Sequence, residues 1–371
     1  MPMKRIGLIV NPIAGMGGAV GLKGTDGEEI LDKAISLGAK PISPERAERF
    51  LSCIRHLSGK ISLLVGAGWM GEFEAKNVGF KHIVIGQKKD KTTAKDTKEI
   101  AEKMMGEGID LLVFCGGDGT ARDIMDVVGI RLPVLGIPSG VKMHSAVFAI
   151  NPESAAAIVS RFLWEELPLK EVEVMDVDEE SFREGRLSAK LYGYMRVPYE
   201  PEIIQGVKEA SVLTEDELYN QLAVATYFIE RIMKPDTIYI LGPGTTTRAI
   251  TALLSENKTL LGVDLLFNGK IMKNDVNENE ILGAIHGKRA KIVVTPIGGQ
   301  GFIFGRGNQQ ISSKVIREVG LENIIVIATR HKIKGLKSLR VDTGDPDLDQ
   351  RLKGYMRVII DYGEEYVMPV R

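Results

Sequence analysis

The chain has 371 residues, which is long enough for two domains with sizeable cores. Hydrophobic residues make up 44% and charged residues 26% of it, as is ordinary for a globular protein, and 48 Lys and Arg balance 49 Asp and Glu to a formal net charge of -1. This balance gives no support to a partner that is recognised through bulk charge, such as nucleic acid or a membrane surface.

Cysteine usage and hydropathy narrow the class further. The two cysteines, Cys53 and Cys115, form no CxxC pair and no cluster with histidines, so a disulfide scaffold or a structural zinc site is not expected. The segment before the first apolar run is too short for a signal peptide, and no apolar run approaches the roughly 20 residues that a membrane span needs. The sequence therefore predicts a cytoplasmic protein.

The first 150 residues alternate short apolar runs with helical patterns. Predicted strands cover residues 6–10, 61–65, 82–85, 111–115 and 134–137, and predicted helices cover 43–57, 94–106 and 121–128. Strands separated by about 10 to 15 residues of helix indicate βαβ units with right-handed crossovers. Residues 1–150 are therefore predicted to form a Rossmann-like α/β domain with a doubly wound parallel sheet.

The pattern changes after residue 150. Predicted helical segments cover 154–162, 207–233 and 248–255, and predicted strands cover 172–177, 187–197, 237–241, 291–295, 324–328 and 355–360. Glycine turns separate most of the later strands. Residues 151–371 are therefore predicted to form a β-rich domain with an α/β insertion around residues 200–268.

The most informative segment joins the strand at 111–115 to the next helix, and it consists of Gly116, Gly117, Asp118, Gly119 and Thr120. Glycines can adopt positive φ and let a phosphate approach backbone N–H groups closely. A carboxylate at the carboxyl end of a buried strand is placed to meet phosphate, Mg²⁺ or a hydroxyl. Asp118 is therefore the candidate catalytic residue, as a base toward an acceptor hydroxyl or through Mg²⁺. The alternative is a turn aspartate that accepts hydrogen bonds from its own backbone.

Further candidates lie in loops or at helix starts of the same domain. Asn11 and Gly15 belong to a glycine-rich loop after the first strand, which predicts either phosphate contact or a strand-terminating turn. The loop lacks the lysine of a Walker-type NTPase. Thr93 and Asp96 open a helix, where N-capping and nucleotide contact are equal alternatives. Asp123 could order the turn or touch a metal, and a carboxylate favoured by the helix dipole explains it equally well.

Two more groups combine glycines with polar or charged side chains. Gly140, Lys142 and His144 follow the strand at 134–137, where a cation suits an anionic substrate or a developing phosphate charge. A solvated lysine and a hydrogen-bonded histidine are the alternative. Arg306 and Asn308 lie among glycines, which favours contact with a ligand or another subunit over ordinary loop chemistry.

A second strand–glycine–helix turn comes after the strand at 237–241. It contains Gly242, Gly244, Thr245 and Thr246, so hydroxyls stand at the predicted helix N-terminus. Either a second anion site, for instance for a second nucleotide, or a capped turn explains this pattern.

Several of these motifs resemble one superfamily. The Gly-Gly-Asp-Gly-Thr turn resembles the signature of NAD kinases and of diacylglycerol and sphingosine-type lipid kinases, and residues 11–15 resemble the Asn-Pro-x-Ser-Gly loop of the lipid kinases. Residues 295–298 resemble the start of the Thr-Pro-Thr-Gly loop of NAD kinases, and residues 339–344 resemble their late Val-Asp-Gly turn. Residues 136–144, 242–246 and 301–309 resemble segments of the ATP-NAD kinase-like branch, which includes the acetoin-catabolism protein X group. Together with the other motifs, this resemblance covers nearly the whole chain.

This resemblance implies the NAD kinase/diacylglycerol kinase-like fold and a kinase that transfers phosphate from ATP or polyphosphate to a nucleotide-type hydroxyl, with NAD as the first expectation. It also implies Mg²⁺ between the phosphates and Asp118, and a homo-oligomer assembled through the β-rich domain. Where NAD kinases carry Ser-Thr-Ala-Tyr, residues 299–302 here read Gly-Gln-Gly-Phe, so the dinucleotide pocket differs. The alternatives are a kinase of another small polyol or lipid and a non-catalytic nucleotide-binding sensor.

Overall fold

A computed structural model describes residues 3–22, 28–140, 143–164, 167–177, 189–200, 204, 215–297 and 300–371. The chain divides into two compact units. The first unit comprises Met1–Met16 and Gly24–Val207, and the second comprises Gly17–Lys23 and Lys208–Arg371. No helix in the described ranges combines the length and the apolar character that crossing a bilayer requires.

The first unit is built on a parallel sheet. Its strands are β1 (Lys4–Val10), β2 (Ile61–Gly66), β3 (His82–Ile85), β4 (Leu111–Gly116) and β5 (Val134–Pro138). They lie in the order β3-β2-β1-β4-β5, and every neighbouring pair is parallel. This confirms the doubly wound sheet. The chain builds outward from β1 to β3 and then returns to β4 on the other side of β1, so the strand order reverses between β1 and β4. In open α/β sheets this is the place where ligands bind.

Helices cover the sheet. They are α1 (Glu28–Ser36), α2 (Ser43–Cys53), α3 (Glu72–Val78), α4 (Ala94–Gly106), α5 (Asp118–Val128) and α6 (Pro152–Trp164). The predicted helix at 43–57 ends at Cys53 because Ile54 (φ −96°, ψ 11°) leaves helical geometry. The predicted helix at 121–128 begins three residues earlier, at Asp118, because Gly117 is its N-cap. Asp118 therefore opens a helix instead of standing in the middle of a turn.

An antiparallel hairpin, β6 (Leu169–Val177) and β7 (Ala189–Pro198), belongs to the first unit. Val172, Val174 and Met195 are buried in the same core as β1, β4 and β5. The structure thus divides the chain near residue 207, whereas the sequence pattern changes near residue 150. The hairpin is the physical reason, because its apolar face is buried against the first sheet's helices and strands.

The second unit contains a seven-stranded mixed sheet and a two-stranded one. Its strands are β8 (Ile238–Leu241), β9 (Asp264–Phe267), β10 (Lys270–Lys273), β11 (Ala290–Val294), β12 (Phe302–Phe304), β13 (Ile324–Ile327), β14 (Arg340–Val341), β15 (Gly354–Asp361) and β16 (Glu364–Val370). The larger sheet has the order β10-β9-β8-β11-β13-β15-β16, and β12 pairs with β14. Strands β8, β11, β13 and β15 run parallel, whereas β9, β10 and β16 pair antiparallel with their neighbours.

Helices cover both faces of the larger sheet. They are α7 (Glu215–Tyr227), which continues as a π-helical turn Phe228–Ile232, then α8 (Thr245–Leu253), α9 (Glu278–Ile285), α10 (Ser313–Val319), α11 (Arg330–Lys334) and α12 (Pro346–Leu352). Ile240 packs in one core with Val315 of α10, and its neighbour Leu241 packs in another with Ile250 of α8. The β-rich character is confirmed, and the centre of this unit is a covered α/β sheet. Residues 207–214 of the predicted helix at 207–233 lie outside the described residues.

Glu74 is a buried carboxyl group of the first unit, and its burial outweighs the nearby backbone N–H groups of Gly71 and Glu74 that favour its charged form. Glu74 of α3 is fully buried, and neither of its carboxyl oxygens has a hydrogen-bond partner among the described residues. Burial disfavours the charged form, which raises the pKa of Glu74 from 4.5 to about 7.

We expect Glu74 to make stability depend on pH. Because the folded chain binds this proton more tightly than the unfolded chain, the free energy of unfolding falls by about 3 kcal/mol as pH rises from 4.5 through 7. Glu74→Gln removes the titration, so urea unfolding of both proteins at pH 4.5 and pH 8 should show the variant gaining that amount relative to the wild type at pH 8. An equal difference at both pH values would contradict the assignment.

Candidate functional site

The β4–α5 turn lies at the reversal of the strand order. Gly117 is extended (φ −117°, ψ −166°), and no side chain in the described ranges caps the helix that follows it. The first intrahelical bond runs from the Ala121 N–H to the Gly117 carbonyl (3.0 Å), so the N–H groups of Gly119 and Thr120 precede the helical ladder. Uncapped N–H groups and the positive end of the helix dipole together favour an anion.

Space requires a glycine at position 116 of this turn, because a Cβ there would lie 2.4 Å from Thr120 Oγ1. A Cβ on Gly117 would lie 3.4 Å from the Cα of Gly140, which is ordinary van der Waals contact. The Asn11 amide donates to the same Thr120 hydroxyl at 2.9 Å, which links the end of β1 to the start of α5. None of Gly116, Gly117 and Gly119 has a positive φ, so the turn does not use this conformational freedom of glycine.

Asp118 anchors the chain that follows β5. Its carboxylate accepts the backbone N–H groups of His144 at 2.7 Å and Ser145 at 2.9 Å, which are 26 and 27 residues further along the chain. Ser145 in turn accepts the Met175 N–H at 2.9 Å. These partners lie outside the turn, so contact with its own backbone does not describe this aspartate. Asp118 is partly exposed, so a ligand can reach its carboxylate.

The loop after β1 is folded onto the end of β5. The Asn11 N–H donates to the Cys115 carbonyl at 2.9 Å, and the buried Ser43 hydroxyl lies 3.0 Å from the Ala14 carbonyl and 2.7 Å from Ser139 Oγ. A Cβ on Gly15 (φ +81°) would lie only 1.8 Å from the Ser139 carbonyl oxygen. Gly15 therefore has a definite structural role, and any phosphate contact by this loop remains a prediction.

Cys115 is not a nucleophile of this edge. Its thiol is buried and donates to the Ser43 carbonyl at 3.3 Å. Burial raises its pKa to about 12, so the thiolate is not available near neutral pH.

Thr93 and Asp96 form a capping box at the start of α4. The Thr93 N–H and hydroxyl both donate to the Asp96 carboxylate at 2.8 Å, and Lys89 forms an ion pair with that carboxylate. The Lys89 hydrogen bond leads the causes that lower the pKa of Asp96. These contacts favour the capping alternative.

The remaining predicted residues of the first unit lie in different surroundings. Asp123 faces α4, where its carboxylate is 3.7 Å from the Lys98 ammonium, so it is paired with a helix neighbour. His144 is buried with its N–H on Asp118, and Gly140 is buried beside Gly117. Lys142 lies outside the described residues.

The Gly242–Thr246 turn has the strand–glycine–helix form that the sequence predicts. Gly244 (φ +129°) precedes α8, and no side-chain hydrogen bond in the described ranges caps this helix. The Thr247 hydroxyl instead lies 2.8 Å from the Gly242 carbonyl, to which it donates, and Gln221 donates to Thr245 Oγ1 at 3.3 Å. The capped-turn alternative is therefore not what the structure shows.

Arg306 and Asn308 are buried within the second unit. The Arg306 guanidinium is 2% exposed and pairs with Asp342 at 3.0 Å. The Asn308 amide donates to the Ile303 carbonyl at 2.8 Å and accepts the Gly305 N–H at 3.1 Å. Both side chains hold the chain around β12 and β14 together. The glycines around Arg306 and Asn308 predict contact with a ligand or another subunit. Sequence reasoning does not predict that both side chains are buried.

Sequence reasoning also missed Lys332 of α11. Its ammonium lies 3.5 Å from Thr295 Oγ1 at the carboxyl end of β11. The available signal was a basic residue soon after the apolar run Ile324–Ile327. The Gly299 position, where the chain departs from the NAD kinase pattern, lies outside the described residues.

Comparison with known proteins identifies the family. A doubly wound domain with a glycine turn at its reversal point is the arrangement in which α/β proteins bind phosphate-bearing ligands. The family model for the ATP-NAD kinase N-terminal domain matches residues 6–167, and the model for the ATP-NAD kinase C-terminal domain matches residues 249–370. Together the two matches span most of the chain in domain order, and the chain belongs to the ATP-NAD kinase family.

Similarity to solved structures is limited. Two of them, each described as a "putative diacylglycerol kinase from Bacillus anthracis str. Sterne", share 16% and 18% identity with this chain, with TM-scores of 0.26 and 0.25. Each match covers 48% of this chain and 46% or 47% of the other, so the chain spans about half the length of these structures. Such TM-scores do not establish a common fold. Among curated proteins, none matches this chain.

Replacement of Gly15 tests the packing of the loop after β1. Gly15→Ala adds both the strain of positive φ and a 1.8 Å clash, whereas Gly38→Ala adds the same strain (φ +83°) in open space. We expect Gly38→Ala to cost about 1–2 kcal/mol and Gly15→Ala to cost a further 1–3 kcal/mol in urea unfolding. Equal losses would show that the loop does not rest on Ser139.

The capping role of Asp96 can be separated from nucleotide contact. Asp96→Ala should lower the free energy of unfolding by about 1 kcal/mol, because it removes the capping box. Glu99→Ala, an exposed site on the same helix, should change it by less than about 0.5 kcal/mol. ATP affinity, measured by calorimetry, should stay within about twofold in both variants. A tenfold loss in the Asp96 variant alone would instead support nucleotide contact.

Proposed function

We propose that this protein is a phosphotransferase that moves a phosphoryl group from ATP or polyphosphate to a nucleotide hydroxyl, most directly from ATP to NAD to give NADP. The observation that carries the proposal is the β4–α5 turn. It combines close-packed glycines, uncapped helical N–H groups and a fixed carboxylate at the reversal of a parallel sheet. Membership of the ATP-NAD kinase family supports the same class of reaction.

Phosphoryl transfer needs positioning and charge stabilisation more than covalent chemistry. In the proposed mechanism the N–H groups of Gly119 and Thr120 bind the phosphates at the start of α5. The bond from Asn11 to Thr120 keeps the first turn of α5 against the end of β1. Gly116 and Gly117 leave no side chain in the way of the bound phosphates.

The Asp118 carboxylate is the group proposed to act on the acceptor. Two backbone N–H groups fix its orientation, so it does not have to be ordered when substrate binds. In this position it serves as base toward the acceptor hydroxyl or as a ligand of Mg²⁺. When bound, Mg²⁺ would neutralise phosphate charge, and it usually uses only one or two protein carboxylates together with substrate phosphates.

The donor set fits this mode of metal binding. In the ranges that the structure describes, no group of three or more His, Cys, Asp or Glu side chains is arranged to hold a metal ion by itself. A single carboxylate beside a phosphate site suits a magnesium ion that arrives with the nucleotide. A cytoplasmic location and assembly into a homo-oligomer through the second unit remain predictions.

Substitution of Asp118 tests the proposal. With Mg²⁺, ATP and NAD, Asp118→Asn should reduce kcat for NADP formation by about 10²–10⁴-fold, because the proton acceptor or metal ligand is lost and one of the two backbone N–H groups loses its carboxylate acceptor. Its ATP affinity should stay within about threefold, since the N–H groups remain. Asp126→Asn, an exposed site on the same helix, is the matched control and should keep at least half of the activity.

Several outcomes would contradict the proposal. Full activity of Asp118→Asn would remove the role of this carboxylate. Binding of ATP and NAD by the wild type without turnover, with diacylglycerol, sphingosine and simple polyols also tried as acceptors, would indicate a nucleotide-binding sensor. Turnover with one of those acceptors and not with NAD would place the protein among polyol or lipid kinases.

A further inference from the structure

The larger sheet of the second unit also has a reversal point. After β8 the chain passes to β9 and β10 on one side, and then to β11 on the other side. The carboxyl ends of β8 and β11 are therefore neighbours, and a Cβ on Gly244 would lie 2.6 Å from Thr295 Cγ2. Open α/β sheets bind ligands at such an edge.

The start of α8 presents donors at this edge. In this nine-residue helix the first intrahelical bond runs from the Arg248 N–H to the Gly244 carbonyl (3.1 Å), so the N–H groups of Thr245 and Thr246 precede the ladder. No side chain in the described part of the chain caps them. Gln221, itself buried, donates to Thr245 Oγ1 and fixes the first turn.

The Thr246 hydroxyl is a second, independent indication that a ligand binds at this edge. This side chain is fully buried, and its Oγ1 has no hydrogen-bond partner among the described residues. Side chains of a helix tilt toward its N-terminus, which directs the Thr246 hydroxyl to the uncapped first turn. Buried hydroxyl groups in native proteins are almost always hydrogen-bonded, so an unsatisfied one next to unsatisfied N–H groups needs an explanation.

The ammonium of a half-buried lysine lies at the same edge. Lys332 Nζ is 3.5 Å from Thr295 Oγ1. The nearby carboxylate of Glu217 accepts the Thr329 hydroxyl at 2.7 Å. Burial lowers the pKa of Lys332, and Glu217 opposes that effect. A phosphate bound at this edge would give the ammonium a second anionic partner beside Glu217.

We propose that this edge is a binding site for a phosphate group, held by the Lys332 ammonium, the Thr246 hydroxyl and the first N–H groups of α8. All three kinds of group donate hydrogen bonds, and a phosphate offers several acceptor oxygens at once. The site consists only of residues of the second unit, and it goes beyond the proposed kinase reaction. The shared chemistry is the phosphate, whether it is free or carried by a nucleotide.

The test follows the backbone amides of Thr245 and Thr246 by ¹⁵N NMR during titration with inorganic phosphate and, separately, with AMP. These two signals report this edge and not the β4–α5 turn. We expect both amides to shift in the wild type. Lys332→Met should weaken phosphate affinity at these amides at least tenfold, and Thr246→Val at least threefold. Lys334→Met, the same charge change at an exposed site of α11, should leave it within twofold.

Each result bears on the inference separately from the kinase proposal. Tighter binding of AMP than of phosphate would show a nucleotide-borne group, and equal or weaker binding would show free phosphate, both in agreement with the site. Absence of any shift at Thr245 and Thr246, or equal affinities in Lys332→Met and Lys334→Met, would overturn it. If Lys332→Met does not fold, the phosphate affinity of Thr246→Val still tests the site. Neither affinity measurement depends on NADP formation.

Discussion

The two hydrogen bonds from the His144 and Ser145 N–H groups to the Asp118 carboxylate hold the first unit's candidate site together. They link the first residue of α5 to the chain segment that follows β5. The Ser145 hydroxyl in turn accepts the N–H of Met175, which lies in β6. Because the carboxylate is itself the acceptor, its direction is fixed by the same bonds. Asp118, the candidate catalytic residue, is thus also the residue that orders the backbone around it.

The glycines around Asp118 follow from this close packing. Gly116 is required because Thr120 folds back against it, and Gly15 is required because the loop after β1 rests on the Ser139 carbonyl. Three chain segments, after β1, β4 and β5, therefore meet where the strand order reverses. Their contacts leave the N–H groups at the start of α5 uncapped, which is the property that an anion site needs.

The sequence was sufficient for the first sheet because its strands are buried apolar runs and α4 carries a clear capping signal. It also located the β4–α5 turn, whose glycines and carboxylate are contiguous. It could not supply the partners of Asp118, because contacts across 26 residues depend on the fold. For the same reason Arg306 was expected at a ligand or subunit contact, whereas its ion pair with Asp342 buries it.

Both sheets place glycines and an uncapped helix at a reversal of strand order, and they differ in the charged group nearby. The first edge carries the Asp118 carboxylate, which suits an acceptor hydroxyl or Mg²⁺, and the second carries the Lys332 ammonium, which suits an anion alone. This difference in charge is the reason why we propose chemistry at the first edge and phosphate binding at the second. Lys332 escaped sequence reasoning because no motif surrounds it and only the fold brings it to Thr295.

A crystal structure with Mg²⁺ and a non-hydrolysable ATP analogue tests the central claim most directly. The account predicts phosphate oxygens within hydrogen-bond distance of the Gly119 and Thr120 N–H groups, with the terminal phosphate facing the Asp118 carboxylate. A nucleotide bound elsewhere, with the β4–α5 turn holding no phosphate at saturating concentration, would contradict it.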